Sequence, residues 1–128
     1  MRQIALSLAL IALPAAATAA PIEGKWKNPK DSVIVDVTPC GSATWCGKVS
    51  WASPKARDKA DGRLRVGTQL LSGLKSDGHG GYKGRAYVPR RQIHGTATVR
   101  HAGSNALIVK GCALGGLLCK AQRWTRVR

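Results

Sequence analysis

The feature that most restricts this chain is an alternation of apolar and polar residues on both sides of a short turn within residues 33–51. An apolar residue at every second position is typical of a strand with one buried face. The alternating apolar residues are Val33, Val35 and Val37 before the turn and Trp45, Gly47, Val49 and Trp51 after it. Cys40 and Cys46 flank the turn, which contains Gly41. The stretch is therefore predicted to be a β-hairpin that a disulfide can hold closed.

The same kind of pattern continues through most of the chain. Further strands are predicted at residues 69–74, 82–88, 92–100, 106–111 and 118–127, and a short first strand surrounds Trp26. About eight short strands without a convincing helix indicate an all-β fold, an antiparallel sandwich or barrel. Eight strands suit a small closed up-and-down β-barrel, which has no exposed strand edges. The interior of such a barrel is predicted to be small or mostly filled.

Residues 52–68 interrupt this pattern. They combine Pro54 and two glycines with a dense mixture of charged residues, and they show no apolar period. A stretch of this composition is predicted to be a long mobile loop. Two roles remain open for it: a solvated connector, or a lid over an open end of the barrel.

The first residues have the composition of a secretory signal peptide. Arg2 precedes an apolar run that extends to Pro14, and an alanine-rich stretch with a small-x-small cleavage pattern follows. The run is too short for a membrane-spanning helix, and no other segment is apolar for long enough. We therefore predict that residues 1–19 are removed and that residues 20–128 form a single periplasmic or secreted domain. No cysteine stands near position 20, so a lipid anchor is not expected.

The four cysteines are predicted to form two disulfides that supplement a thin core. The chain contains no Phe, and disulfides are favoured in the oxidising compartments that exported proteins reach. Four cysteines allow three pairings. A Gly-Gly pair at 115–116 is a favoured two-residue hairpin turn, and counting outward from it places Cys112 opposite Cys119. Cys40 and Cys46 close a similarly short loop, so the local pair is predicted in both places.

Several short motifs follow one another in order across the predicted domain. They are Gly24-x-Trp26, Cys40-Gly41 with Cys46-Gly47-x-Val49-x-Trp51, Gly73-Leu74-Lys75, Gly84-Arg85-x-Tyr87-x-Pro89, Gly111-Cys112 with Cys119, and Gln122-x-Trp124-Thr125-Arg126-Val127. Together they resemble the exported bacterial proteins grouped as domain of unknown function 2147. The resemblance implies a lipocalin-like β-barrel in the periplasm or outside the cell, with no established activity.

The resemblance also has consequences for individual residues. In lipocalin-like barrels an arginine of the last strand lies over a tryptophan of the first strand, so the resemblance implies that Arg126 covers Trp26. Family members usually have Tyr-Asp-Pro followed by a second tyrosine after a glycine. This chain has Val88 in place of the acid and no tyrosine in residues 95–98, which places it in a divergent branch.

The sequence offers little support for metal binding or catalysis. The cysteine spacings are not the short ones of zinc sites, and export favours disulfides over thiolate ligands. His79, His94 and His101 have no obvious carboxylate partner, and no nucleophile-elbow motif is present. Most of the six acidic residues fall in predicted turns or loops, which argues against paired catalytic carboxylates. We predict no metal, no cofactor and no enzymatic activity. An enzyme that uses one of the histidines remains as the last of three functional hypotheses.

The first two hypotheses are binding proteins. The 21 basic and six acidic residues give a net charge of +15, or +14 once Arg2 is removed. Such a charge favours anionic partners and makes association sensitive to salt. The first hypothesis is a non-catalytic binding protein for a small hydrophobic or lipidic ligand. The second is a protein of the bacterial envelope surface that docks on polyanions, such as lipopolysaccharide or anionic phospholipid, without an interior ligand.

Each of these hypotheses has its own candidate residues. Aromatic side chains are the candidates for lining a ligand site, namely Trp45, Trp51, Tyr87 and Trp124. Arginines are the candidates for polyanion binding, namely Arg63, Arg65, Arg90, Arg91, Arg123 and Arg128. Nucleic acid is not expected as a partner, because most of these arginines lack aromatic neighbours for base stacking and export separates the protein from cytoplasmic DNA and RNA.

Overall fold

A computed structural model describes residues 21–128 of the 128-residue chain. The predicted signal peptide and its cleavage site lie outside the described residues. The elements are β1 Gly24–Lys27, β2 Val33–Gly41, β3 Thr44–Ala52, helix α1 Pro54–Lys59, β4 Gln69–Ser76, β5 Gly81–Val88, β6 Ile93–His101, β7 Ala106–Ala113 and β8 Leu118–Arg126, with a 3-10 turn at Leu114–Gly116. Within residues 21–128 no helix has the length and apolar character needed to cross a membrane.

The eight strands form a closed antiparallel barrel in which each strand pairs with its neighbours in the chain. The alternation of apolar residues explains this arrangement, because it gives the strands one face to bury. A seam between β1 and β8 closes the barrel through two residue pairs, Trp26 with Arg126 and Lys27 with Thr125. The predicted eight-stranded up-and-down barrel is confirmed.

The strand connections alternate between the two ends of the barrel. The β1–β2, β3–β4, β5–β6 and β7–β8 connections lie at one end, which we call the mouth. The β2–β3, β4–β5 and β6–β7 connections lie at the other end, which we call the closed end.

Both predicted disulfides are confirmed, and there is one at each end. Cys40–Cys46 spans the β2–β3 hairpin at the closed end, with Cα atoms 5.7 Å apart. Cys112–Cys119 spans the β7–β8 hairpin at the mouth, with Cα atoms 4.1 Å apart. The glycines at 115–116 have φ angles of 65° and 90°, the left-handed conformation that this tight turn requires.

Side chains fill the closed end. Ile22, Trp26, Leu74 and Leu107 are almost completely buried and belong to the main hydrophobic core. The Trp26 indole nitrogen donates a hydrogen bond to the Ile22 carbonyl oxygen at 2.8 Å, so its polar atom is satisfied although it is buried. These side chains therefore pack the barrel interior near its closed end.

Arg126 covers the closed end. Its guanidinium carbon lies 4.2 Å from the centroid of the Trp26 ring, the contact that the family resemblance implies. The same guanidinium donates hydrogen bonds to the carbonyl oxygens of Glu23 at 3.1 Å, Pro21 at 3.2 Å and Ser104 at 3.4 Å. One side chain therefore joins the last strand to the N-terminal residues and to the β6–β7 connection.

The expectation that residues 52–68 contain no helix is wrong. The Ser53 hydroxyl caps α1 by accepting a hydrogen bond from the Ala56 amide at 3.1 Å, and Pro54 lies in the first turn, where its missing N–H is harmless. Ala60 and Leu64 follow the helix and are buried in a second small core against β3. A helix of six residues is too short to show a 3.6-residue period in the sequence.

A hydrogen bond connects the segment after α1 to the β5–β6 connection at the mouth. Arg63 Nε donates a hydrogen bond to the Pro89 carbonyl oxygen at 2.9 Å, in the β5–β6 connection. Packing of the segment against β3 and this hydrogen bond together hold α1 and the residues after it along the rim of the barrel.

Candidate functional site

A cavity of about 1090 Å³ extends from the barrel interior to the mouth. Its inner wall includes Leu71, Val109 and Trp124, which also belong to the main core. Ala56 and Ala60 form part of the rim on the side of α1. This volume includes the space between the connections of the mouth, so it is not the volume of the barrel interior alone.

Small residues explain the size of the cavity. Strands β5, β6 and β7 contribute Ala86, Gly95 and Gly111 to its wall, and Ala86 pairs directly with Gly95. A Cβ atom placed on Gly111 would lie 3.8 Å from the Ala86 Cβ, which is an ordinary contact distance. Because side chains can fill the interior of a barrel this size, the small residues Ala86 and Gly111 leave space between larger wall residues such as Val109.

Strand β8 adds polar groups to this wall. Gln122 and Lys120 precede Trp124 by two and four residues, so they share its inward face, and all three line the cavity. The Trp124 indole nitrogen donates a hydrogen bond to Gln122 Oε1 at 3.1 Å. Lys120 pairs with Gly111 of β7. Lys120 was not among the predicted site residues, although the two-residue period of β8 extends to it.

Basic side chains surround the mouth. Those that line it are Lys30, Lys55, Lys59, Arg90, Arg91 and Lys120, which we call the basic ring. In residues 21–128 none of them forms an ion pair, since the two ion pairs found there use Lys27 and Arg63. Asp31 also lines the mouth, but its carboxylate already lies 3.0 Å from the Lys27 ammonium. Among the described residues, the basic ring therefore carries positive charge with no carboxylate within ion-pair distance of its members.

The charges of the basic ring are close enough to affect one another. The pKa of Lys59 is lowered mainly by repulsion from Lys55, then by Lys30, by loss of hydration and by Arg90. These residues come from α1, the β1–β2 connection and the β5–β6 connection, so the barrel brings together cations from three separate segments. An anion bound at the mouth would reduce this repulsion.

The candidate ligand-lining aromatic residues occupy three different environments. Trp124 lines the cavity; Tyr87 borders it, but its ring stacks on the exposed His94. Trp45 packs against the main core, where its ring meets Tyr82 edge-on with ring centroids 5.5 Å apart. Trp51 lies outside the cavity and is 45% exposed.

A β-bulge accounts for the position of Trp51. Val49 pairs with Val35, but the next pair joins Trp51 to Ile34, so Ser50 is an additional residue on β3. An extra residue shifts the alternation by one position and turns the following side chain to the other face. The predicted common face of the alternating residues of β3 is therefore wrong at Trp51.

The candidate polyanion-binding arginines do not share one face. Their locations are the mouth for Arg90 and Arg91, the segment after α1 for Arg63 and Arg65, the outer surface of β8 for Arg123, and the chain end after β8 for Arg128. Two of the six thus belong to the basic ring, whose other members are lysines.

The three histidines lie in different environments as well. His94 is exposed and stacks on Tyr87, with ring centroids 4.6 Å apart. His79 lies in the β4–β5 connection, and His101 ends β6 at the closed end. In the part of the chain that the structure describes, no group of three His, Cys, Asp or Glu side chains is arranged to hold a metal ion.

His101 is expected to make stability depend on pH. Both ring nitrogens are buried, and neither has a hydrogen-bond partner among the described residues. Burial and, to a lesser extent, the charge of Arg126 lower the pKa of His101 from its usual 6.5. Because the unfolded chain then binds a proton more readily, the free energy of unfolding should fall as the pH decreases from about 6.5 toward the lower folded-state pKa. Denaturant unfolding at a series of pH values measures this loss.

The control for this prediction is a second histidine. His101→Leu should flatten the pH dependence below neutrality, whereas His79→Gln, in an exposed turn, should keep the wild-type slope. If the free energy of unfolding of His101→Leu depended on pH as it does in the wild type, His101 would not be the source of this dependence.

Comparison with known proteins relates this barrel to a family. The model of the family DUF2147, described as an uncharacterized protein conserved in bacteria, matches residues 24–126. The chain belongs to this family. The match extends from β1 through β8, so the resemblance seen in the motifs is confirmed. A comparison with curated proteins found no match.

The barrel is also similar to a solved structure. Protein HP1028 from the human pathogen Helicobacter pylori, described as belonging to the lipocalin family, aligns with a TM-score of 0.65. The two sequences are 17% identical, and the alignment covers 85% of this chain and 84% of that chain. At this identity the similarity shows the fold alone, and the predicted lipocalin-like barrel is confirmed.

Proposed function

We propose that the protein is an exported, non-catalytic binding protein for an anionic lipid, with an acyl chain in the cavity and an acidic head group at the mouth. The observation that carries this proposal is a cavity of about 1090 Å³ that has an apolar inner wall and the basic ring around its opening. An apolar cavity alone would select only for a hydrophobic molecule. The two features together correspond to the two ends of an anionic amphiphile.

The inner part of the cavity suits an acyl chain. Leu71, Val109 and Trp124 supply apolar surface, and the small residues of β5, β6 and β7 leave the space between them open. Each methylene group moved from water into such surroundings contributes about 0.8 kcal/mol. Small-molecule pockets are typically roughly 300–1,000 Å³, so the volume is sufficient for a long single chain.

The outer part suits an acidic head group. Lys120 and Gln122 lie on the inward face of β8, between the apolar wall and the mouth. An ammonium group and a side-chain amide both donate hydrogen bonds, which a carboxylate or phosphate accepts. Relief of the repulsion around Lys59 also favours an anionic ligand over a neutral one.

Two observations support export. Disulfides such as Cys40–Cys46 and Cys112–Cys119 persist in oxidising compartments. Residues 1–19 also have the sequence of a signal peptide. The proposed ligand is accordingly a lipid of the bacterial envelope or of the extracellular medium.

Ligands with one chain and different head groups test the proposal. Hexadecanoate, hexadecanol and hexadecylamine have equal chains and carry negative, neutral and positive head groups. We expect hexadecanoate to bind about tenfold or more tightly than hexadecanol, because the basic ring attracts its carboxylate. Displacement of a fluorescent fatty acid from the protein measures all three affinities. Failure of all three to bind would contradict the proposed function, and equal binding of the three would contradict only the preference for an anion.

The same displacement assay includes a control within the protein. Lys120→Gln removes an ammonium group that lines the cavity, and it should weaken hexadecanoate more than hexadecanol. Lys110→Gln makes the same change at an exposed position of β7 that does not line the cavity, and it should alter neither affinity. Equal hexadecanoate affinities of the two variants would show that Lys120 does not contact the head group.

A further inference from the structure

The β7–β8 hairpin exposes leucines at the mouth. Leu114 is 71% exposed, Leu117 is 90% exposed and Leu118 is 42% exposed. We call residues 114–118 the leucine tip. Isolated exposed leucines are common on protein surfaces, but three within five residues form an apolar patch, and such patches mark contact surfaces.

The hairpin holds these side chains in place. The disulfide Cys112–Cys119 closes the base of the hairpin. The next residue pair toward the turn is Ala113 with Leu118. The Leu117 amide donates a hydrogen bond to the Leu114 carbonyl oxygen at 3.3 Å, which closes the turn itself. Leu114 has a φ of 54°, in the left-handed region that leucine rarely adopts. The tip is therefore a short, cross-linked projection on which Leu114 and Leu117 are exposed and Leu118 also lines the mouth.

The neighbours of the leucine tip are cationic. Lys120 follows the disulfide on β8, and Arg90 and Arg91 line the same mouth from the β5–β6 connection. Apolar side chains surrounded by cations suit a membrane surface, where the apolar groups enter the acyl region and the cations meet anionic head groups. A second copy of the chain fits less well, because two basic rings would face each other and each chain has a net charge of +15, or +14 without Arg2.

We propose that the mouth docks on the surface of an anionic bilayer, with the leucine tip inserted among the lipids and the basic ring on their head groups. In this orientation the cavity opens onto the bilayer. Docking does not require an occupied cavity, so the failure of vesicle binding and the failure of fatty-acid binding are separate results.

Vesicle flotation tests the docking. One set of vesicles contains phosphatidylethanolamine and phosphatidylglycerol, and the other contains only phosphatidylcholine. Leu114→Ser combined with Leu117→Ser removes the apolar side chains of the tip. Val66→Ser is the matched control, because Val66 is 73% exposed and does not line the mouth. We expect the double variant to bind the anionic vesicles about tenfold or more weakly than the wild type, and Val66→Ser to bind as the wild type does.

The charge component is measured with the same vesicles. Binding of the wild type to the anionic vesicles should weaken as salt is added, and binding to phosphatidylcholine should be much weaker throughout. Arg90→Ser combined with Arg91→Ser should reduce binding to the anionic vesicles about 25-fold, at roughly fivefold for each surface cation.

Two results would overturn the proposal. One is absence of wild-type binding to the anionic vesicles, and the other is equal binding by the wild type and the leucine double variant. An unchanged melting temperature verifies that each variant is folded. If the double variant is destabilised, Leu117→Ser alone replaces it, since Leu117 is the most exposed residue of the tip.

Discussion

Gly111→Phe is expected to weaken fatty-acid binding about a hundredfold while the barrel stays folded. Gly111 lies in the cavity wall, and its φ angle is not among the positive ones that only glycine accepts readily. A Cβ at this position meets the Ala86 methyl group at 3.8 Å, so the backbone accommodates a side chain. The phenyl ring would then occupy the space that the small residues leave for an acyl chain. Displacing three or four methylene groups corresponds to an affinity loss of about a hundredfold, which the displacement assay measures.

Gly111→Ala is the control for this experiment. It makes the same change to the backbone but adds only a methyl group, so the affinity for hexadecanoate should stay within about threefold of the wild type. Its melting temperature should equal or slightly exceed that of the wild type, because alanine restricts the unfolded chain. Equal affinity of the Phe and Ala variants would mean that the acyl chain does not occupy this part of the cavity.

Arg126→Ala is expected to lower the free energy of unfolding by roughly 2–3 kcal/mol. The variant loses the contact with the Trp26 ring at 4.2 Å and three hydrogen bonds to carbonyl oxygens. A cation–π contact contributes about 1–2 kcal/mol when it is partly desolvated, and hydrogen bonds from a charged donor are stronger than neutral ones. In a domain of this size the melting temperature should fall by roughly 10 °C. Thermal unfolding followed by circular dichroism measures the change.

Arg128→Ala is the matched control for Arg126. Arg128 is exposed and follows the last strand, so its replacement should change the melting temperature by no more than about 2 °C. Arg126→Lys keeps the charge without the planar guanidinium and should give an intermediate value. Identical melting temperatures of Arg126→Ala and Arg128→Ala would contradict the role of Arg126 at the closed end.

The strands were predictable because a barrel buries one face of each strand, and this requirement appears directly as a two-residue period. The valines of β2 show it most clearly, and the predicted ranges differ from the observed strands mainly at their ends. Tight turns are equally local. The glycines at 115–116 determine which residues of β7 and β8 face each other, so the pairing of Cys112 with Cys119 could be derived from the sequence.

Features that arise from contacts between strands were not predictable in this way. The bulge at Ser50 becomes visible only when β3 is paired with β2, and therefore Trp51 was expected on the wrong face. Helix α1 depends on a cap at Ser53 and on the burial of Ala60 and Leu64 against β3. Neither effect produces a recognisable period in six residues.

The candidate site was harder to predict than the fold. Its size depends on residues that are small, such as Ala86 and Gly111, and small residues carry no motif that indicates a cavity. The positive charge of the site comes from separate connections between strands. Lys30, Lys59 and Arg90 lie far apart in the sequence and come close to one another only in the closed barrel. The expected lining was aromatic, whereas four of the six residues of the basic ring are lysines.

The seam between β1 and β8 has a consequence for the order in which the protein assembles. All other strand pairs join neighbours in the chain, whereas the hydrogen bond from Arg126 to Glu23 spans 103 residues. Closing a long loop costs more entropy than closing a short one, and contacts between distant residues slow folding. We therefore expect neighbouring strands to pair first into a curved, open sheet and the seam to close last. Strand β1 has only four residues, yet its pairing with β8 is the step that converts this open sheet into a closed barrel that can enclose a ligand.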